Sequence, residues 1–254
     1  MTEIPVSHPR YASLVAREHI ADGVKAGITS TQGLIAQGRG EAFDYLLGER
    51  TTQPAADATK AAAAMLLLAE RPALSVNGNV AALVPGGMVD LSIALDAPLE
   101  VNLFHRTEER IGRIADLLRG LGAKSVLGEN PDSVVPGLDH SRARATRGGI
   151  YDADVVLIPL EDGDRCEALV AMGKKVIAID LNPLSRTARM ATITIIDNIV
   201  RAVPGLISAA REMSNQSTGD LCSILKDYDN TAILRRSVEE IRRNLDAQFV
   251  QDRG

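Results

Sequence analysis

From residue 72 onward the chain alternates short apolar runs with longer amphipathic stretches, and that rhythm leaves few folds open. The runs occupy residues 73–76, 100–104, 125–127, 155–159, 176–180 and 191–196, and they are rich in Val, Ile and Leu. Runs this short and this apolar read as strands buried on both faces. Between most of them lie segments with helical periodicity, such as 108–121 and 165–172. A βαβ rhythm of this kind predicts an α/β fold: a mainly parallel sheet with helices on both faces. In such sheets ligands bind beyond the carboxyl ends of the strands, where the strand order reverses.

The first 72 residues carry no strand signal. Tyr11, Leu14, Val15, His19 and Ile20 recur at helical spacing, so a helix is expected over about 12–24. Ser30 or Thr31 can cap a second helix carrying Leu34, Ile35, Phe43, Leu46 and Leu47, with an interruption expected at Gly38-Arg39-Gly40. A third, very rich in alanine, is expected from about 54 to 70. Its residues 61–68 offer more nonpolar length than one sheet face needs, and small side chains permit close helix approach. Two readings follow, a dimer interface or burial within one subunit. Three regions result: helical 1–72, an α/β core 73–213 and a helical tail 214–254, with all three forming one domain as the alternative.

Composition excludes several classes of function. Net charge is −5, with 28 basic residues scattered rather than blocked, so neither a nucleic-acid surface nor an anionic-membrane surface is indicated. Aromatic residues make up 3% of the chain and tryptophan is absent, which removes base-stacking platforms and aromatic cages. Cys166 and Cys222 stand far apart without metal-ligand spacing, so a disulfide framework or a structural metal site is not expected. The N-terminal residues lack an apolar leader, and the longest apolar run, 61–69, is too short to cross a bilayer. A cytoplasmic location is the expectation.

Polar clusters fall at the strand ends. The segment 178–204 holds two: Asp180-Leu181-Asn182 after one strand and Asp197-Asn198 after the next, with Arg186 and Thr187 between them. Asp197 or Asn198 can cap the following helix, leaving N–H groups and a positive dipole end for an anion such as phosphate. Taken singly, each cluster is equally well a turn or a helix start. SVNGN, residues 75–79, offers a glycine for close backbone approach and two amides, or simply an Asn-Gly turn. EVNLFHRTEERI brings His105, Arg106 and Thr107 to a strand exit. GLDHSRARA puts Asp139, His140 and Arg142 together, the first two an acid/base pair or the histidine a surface residue. PLEDGDR, residues 159–165, sets three carboxylates around a glycine, which suits a divalent cation bridged to phosphate or an acidic helix cap. Neither GITSTQG nor GGIYDAD supplies the Lys-Ser/Thr of a P-loop, and no GxGxxG follows a strand. Arg17 on the first helix reads as a surface salt-bridge residue, whereas Arg39 between two glycines is well placed to meet a partner.

These segments together, HPRYASLVAREHI, GLIAQGRGEAFDYLLGERT, SVNGNVAALVP, EVNLFHRTEERI, GLDHSRA, ADVVLIPLEDGDRCEALVAMGKKVIAIDLNPLSRTA and ATITIIDNIVRAVP, resemble the archaeal phosphopantothenate synthetases, the 4-phosphopantoate:β-alanine ligases. The resemblance runs from residue 8 to about 211 and weakens in the tail. It implies a Rossmann-like domain with a helical part, a homodimer, and condensation of 4-phosphopantoate with β-alanine in coenzyme A biosynthesis, with ATP cleaved to AMP and pyrophosphate. An unactivated carboxylate does not accept an amine at neutral pH, so the acid would pass through a phosphopantoyl adenylate. Carried over motif by motif, ATP binding falls on Arg17, Arg39, Asp180, Leu181, Asn182, Arg186, Thr187, Asn198 and Ile199. Asn77, Asn79 and Arg106 are the candidate substrate-binding residues, and Asp139 and His140 the candidate catalytic residues. Mg2+ accompanying the ATP is expected, with its ligands undefined. The rival readings are a nucleotide-sensing binding protein that catalyses nothing, and a dehydrogenase, which the missing glycine fingerprint disfavours.

Overall fold

The alternation beyond residue 72 builds one parallel sheet in the computed structural model, which describes residues 4–8 and 10–250. Its six strands are β1 (Pro72–Val76), β2 (Leu99–Val101), β3 (Val126–Leu127), β6 (Val155–Pro159), β7 (Lys175–Asp180) and β8 (Ile193–Ile196). They lie in the order β3-β2-β1-β6-β7-β8, and every neighbouring pair is parallel. This is the doubly wound Rossmann-like order, and it reverses between β1 and β6. A separate antiparallel pair, β4 (Ser133–Val134) and β5 (Arg144–Ala145), lies in the long connection before β6.

Three helices precede the sheet: α1 (Tyr11–Lys25), α2 (Thr31–Leu47) and α3 (Gln53–Leu68). The crossovers are α4 (Gly78–Leu83) with α5 (Pro85–Leu95), α6 (Glu108–Gly120), α7 (Gly163–Ala171) and α8 (Arg186–Met190). After β8 come α9 (Ile199–Met213), α10 (Thr218–Lys226) and α11 (Asn230–Val250). The starts follow from capping chemistry. Ser30, Thr52, Thr107, Ser185 and Asn198 each accept a backbone N–H of the first turn they precede.

The period-two alternation of the strands sorts the core into two layers. Val155, Leu157, Ile177, Ile179, Ile193 and Ile195 join a large cluster with α1, α3 to α6 and α9. Val156, Ile158, Val176 and Ala178 point the other way, onto Cys166 and Leu169 of α7 and onto Ala145 and Ile150.

Several expectations need correcting. Helix α2 is unbroken through Gly38-Arg39-Gly40. A Cβ at position 40 would lie 3.4 Å from Leu181 Cδ1, so the glycine brings the helix down close over the end of β7. Strand β2 ends at Val101, because the next residue, Asn102, turns its amide to the carbonyl of Arg144 at 2.8 Å. Asn77 opens a helix rather than a turn. The alanine-rich helix α3 is buried within its own chain: residues 61–64 are covered, and it packs on α9, α10, α11 and β8. Its nonpolar length serves the subunit core, with the tail helices supplying the cover.

Candidate active site

Helix α2 lies over the carboxyl ends of the strands and closes two adjoining cavities there. Asn77, at the end of β1, holds their floor. Its side-chain N–H groups donate to the carbonyls of Pro159 and Leu160 at the end of β6, both at 3.0 Å, and its oxygen accepts from the N–H groups of Asn79 and Val80. One buried amide thus ties the two strands together where their order reverses. Asn79 continues the tie: its amide donates to the Gly33 carbonyl at 2.9 Å and accepts from the Thr29 hydroxyl at 2.5 Å. Both asparagines line the cavity but have their polar atoms committed to fixing α2 on the sheet.

The larger cavity, about 340 Å³, is lined by Arg39 and Gly40 of α2, the 161–163 turn, and the Asp180–Thr187 segment. Asp180 accepts from Ser185 Oγ at 2.5 Å and from the Asn182 N–H at 3.0 Å, which shapes the β7 to α8 loop. Burial holds the Asp180 carboxyl above the usual carboxylate range, against the pull of those hydrogen bonds and of Arg39. Thr187 donates to the Glu161 carbonyl at 2.8 Å. Arg186 pairs with Glu167 at the rim, and Gly163 makes room for it, since a Cβ there would come within 2.6 Å of the Arg186 stem. Leu181 is buried against Leu47, Ala188 and Ile196.

The second cavity, about 280 Å³, opens under the start of α2. Thr29, Ser30, Gly33, Asn77, Asn79, His105, Arg110, Arg142 and Asp162 contribute to its wall. Arg142 is almost wholly buried and faces two carboxylates, Glu161 at 2.5 Å and Asp162 at 3.0 Å. Glu161 also pairs with the fully buried Arg165, whose guanidinium donates to Ser75 Oγ at 3.1 Å. Asp162 faces both cavities and is the one titratable side chain common to their walls among the described residues. Burial raises its pKa above the usual range; Arg142 opposes this, and Glu161 and Asp164 add to it.

Of the two readings of the acidic turn after β6, the cation site does not fit these contacts. Glu161 and Asp162 are neutralised by arginines and Asp164 is bound to His140, so no oxygen set converges on a metal. Among the described residues no cluster of three or more His, Cys, Asp and Glu side chains is arranged to hold one.

Of the sequence-derived nucleotide residues, Arg39, Asp180, Leu181, Asn182, Arg186 and Thr187 come together in the larger cavity. Arg17, Asn198 and Ile199 lie elsewhere. Arg17 lines a groove between α1 and α2 and pairs with Glu41 at 2.9 Å. Asn198 caps α9 and donates to Asp44 at 2.7 Å, while Ile199 is buried in the core. Arg106 is turned away from both cavities, donating to the carbonyls of Gly128 and Glu129. Asp139 is exposed, and its neighbour His140 takes Asp164 as partner at 2.8 Å, with its ring 5.1 Å from that of Phe104. The hydrogen bonds from His140 and the Arg165 N–H draw Asp164 below the usual range despite burial. Sequence reasoning placed Arg110, Arg142, Arg165 and Asp162 among no substrate or nucleotide contacts; the signals for two of them were the carboxylate cluster of residues 159–165, which includes Asp162, and the grouping of Arg142 with Asp139 and His140.

The family described as phosphopantothenate/pantothenate synthetase matches residues 54–244. Among curated proteins, the 4-phosphopantoate–β-alanine ligase of Thermococcus onnurineus is 57% identical over 96% of this chain and 94% of its own length. That of Methanosarcina mazei is 56% identical over 96% of both chains. That of Methanospirillum hungatei is 50% identical over 95% of this chain and 98% of its own.

Proposed function

The chain belongs to the phosphopantothenate/pantothenate synthetase family, and we propose that it is the ATP-dependent ligase that joins 4-phosphopantoate to β-alanine in coenzyme A biosynthesis. One observation carries the reading to the residues. Two cavities of different chemistry adjoin at the strand-order reversal, and a single carboxylate, Asp162, faces both. A nucleotide suits the larger, where Asp180 and Asn182 offer polar atoms for ribose or base, and Arg39 and Arg186 offer cations for phosphates. Magnesium would arrive with the nucleotide and would lower the charge of its triphosphate.

In the first step an oxygen of the 4-phosphopantoate carboxylate attacks the α-phosphorus of ATP. The bond to the β-phosphate oxygen breaks and pyrophosphate leaves with its electron pair. In the second, the amine of β-alanine attacks the acyl carbon and the acyl–oxygen bond breaks, releasing AMP. An ammonium cannot attack, so β-alanine must first lose a proton. Asp162, facing both cavities with a raised pKa, is placed to accept it and to pair with the ammonium beforehand. The nitrogen sheds its second proton as the amide forms, and the phosphate of the departing AMP carries that proton away. Arg39 and Arg186 supply the cations, Arg186 exchanging Glu167 for phosphate, and the capped α2 fixes the approach of the reactants. His140, paired with Asp164 beside Phe104, and the exposed Asp139 are assigned to orienting β-alanine at the rim.

A homodimer forms part of the same reading, supported by Leu34, Ile35 and Tyr45, exposed large side chains on α2. No helix is long and apolar enough to cross a membrane among the described residues. The cytoplasm, where ATP and small acids are at hand, is the proposed location.

The test is to incubate the protein with ATP, 4-phosphopantoate and β-alanine and to separate the nucleotides by chromatography. AMP in step with amide is expected. Stoichiometric ADP would replace the adenylate with an acyl phosphate, and unconsumed ATP would leave a nucleotide-binding protein without ligase activity.

A further inference from the structure

Helix α11 lends no described residue to the larger cavity, yet it supports both walls between which that cavity opens. Asp229 starts the helix by accepting the N–H groups of Thr231 and Ala232 at 2.8 and 3.2 Å, which sets Asn230 at its first position. Asn230, Leu234, Ile241 and Asn244 follow one another at spacings of four, seven and three, along one helical face. Leu234 and Ile241 pack in a small apolar cluster with Leu181 and Ala188 from one wall and Phe43 and Leu47 of α2 from the other. Asn244 donates to the Leu46 carbonyl at 3.0 Å, in the last turn of α2. Asn230 holds the opposite wall. Its N–H groups donate to the carbonyls of Ala188 at 2.9 Å and Ala191 at 3.2 Å, and its oxygen accepts the Thr194 N–H and the Tyr228 hydroxyl, both at 2.9 Å. The amide is thereby used in full, two donors and two acceptor positions. Helix α8 needs such an anchor: it has five residues, too few to hold their shape by their own hydrogen bonds, and its last carbonyls lie beyond intrahelical pairing. Thr194 belongs to β8, the edge strand, so its N–H faces outward from the sheet and Asn230 covers it. One side chain thus joins the end of α8 to the sheet edge, and α8 carries Arg186 and Thr187 into the cavity just before Ala188.

Resting on the placement of the nucleotide in the larger cavity, we propose that Asn230 is a positioning residue for ATP, which fixes the end of α8 and through it the Arg186 guanidinium. A guanidinium meets phosphate as a planar fork, so its worth depends on where its helix stands. Without the amide the two carbonyls turn to water and α8 loses its fixed place. Arg186 must then be ordered when ATP arrives, at a cost in affinity.

The experiment is a double-mutant cycle read by calorimetric ATP affinity, in which Asn230→Ala is introduced into the wild-type, Arg186→Ala and Arg39→Ala proteins. Asn230→Ala is expected to weaken ATP binding about fivefold or more in wild type and beside Arg39→Ala, but less than about twofold once Arg186 is replaced. A merely structural loss would be the same in all three backgrounds. KM for β-alanine in Asn230→Ala should stay within about twofold of wild type. Asn230→Asp keeps the volume and the acceptor atoms and loses both donors. It should show the same coupled loss, and it decides the matter where the alanine variant does not fold. Wild-type ATP affinity in the Asn230 variant, or an equal loss with and without Arg186, overturns the positioning role and leaves the nucleotide site standing. Unchanged affinity in Arg186→Ala overturns it as well, and together with unchanged affinity in Arg39→Ala it takes the nucleotide out of this cavity.

Discussion

Arg39 and Arg186 reach the larger cavity by different routes, and the difference sets what their removal should do. Arg39 projects from the exposed side of α2, while Arg186 stands at the first position of α8 and is paired with Glu167. Neither is buried, so replacing either with alanine should leave the fold intact. Each should lower ATP affinity about tenfold or more, the magnitude of a lost charge-assisted contact to phosphate. Calorimetry decides it: two variants that bind ATP like wild type would place the nucleotide elsewhere. Arg106 makes the opposite case. Its motif context suggested substrate binding, yet its guanidinium is consumed by the Glu108 carboxylate and by two backbone carbonyls just after β3. Spacing identifies a charged residue at a strand exit but not the direction in which the side chain turns.

Glu100 shows how one side chain can secure a whole connection. It sits in the middle of β2, buried, and accepts the N–H groups of Thr146 and Ile150 from the loop that leads into β6. Burial pushes its pKa up to about 7, against those two hydrogen bonds and the charge of Arg165. The folded protein therefore holds this proton more tightly than the unfolded chain, whose glutamate titrates near 4.5. The Glu100 contribution to stability is complete below about pH 4.5 and falls as pH rises to about 7, by up to about 3 kcal/mol. Glu100→Gln should remove that slope while losing about 1–2 kcal/mol at all pH values, since its amide N–H groups face one of the two donors. Urea unfolding of both proteins at pH 5 and pH 7.5 measures the difference, and equal slopes would refute it. Elements like β6 were legible because their residues are apolar on both faces and bounded by polar turns; its predicted and observed limits agree. Helices α4 and α5 were not, because Asn77-Gly78 and Pro85-Gly86-Gly87 read locally as turns, and only the fixing of Asn77 to β6 makes the first a helix start. The buried Arg142–Glu161 and Arg165–Ser75 contacts were equally hidden, since they join residues far apart in sequence.

At the scale of the whole molecule the question is which apolar surface the chain buries in itself and which it leaves for a second copy. Leu66 of α3 is buried in the main core beneath α9 and β8, so Leu66→Asp places an unpaired charge inside the subunit. That variant should unfold whether or not the protein dimerises. Leu34 and Tyr45 are the contrasting pair. They lie eleven residues apart on α2, close to three helical turns, and therefore on one face, which borders a groove of about 640 Å³ between α1 and α2. Both are substantially exposed, at 40% and 62%. A two-fold interface presents the same patch from both copies, so a charge placed there enters twice. Leu34→Asp with Tyr45→Glu should halve the mass seen by light scattering at micromolar concentration and leave the helical circular-dichroism signal unchanged. A monomeric mass for active wild-type protein would exclude the obligate dimer. A dimeric mass for the double variant would move the interface off α2, and the groove beside Arg17 would then be surface rather than seam.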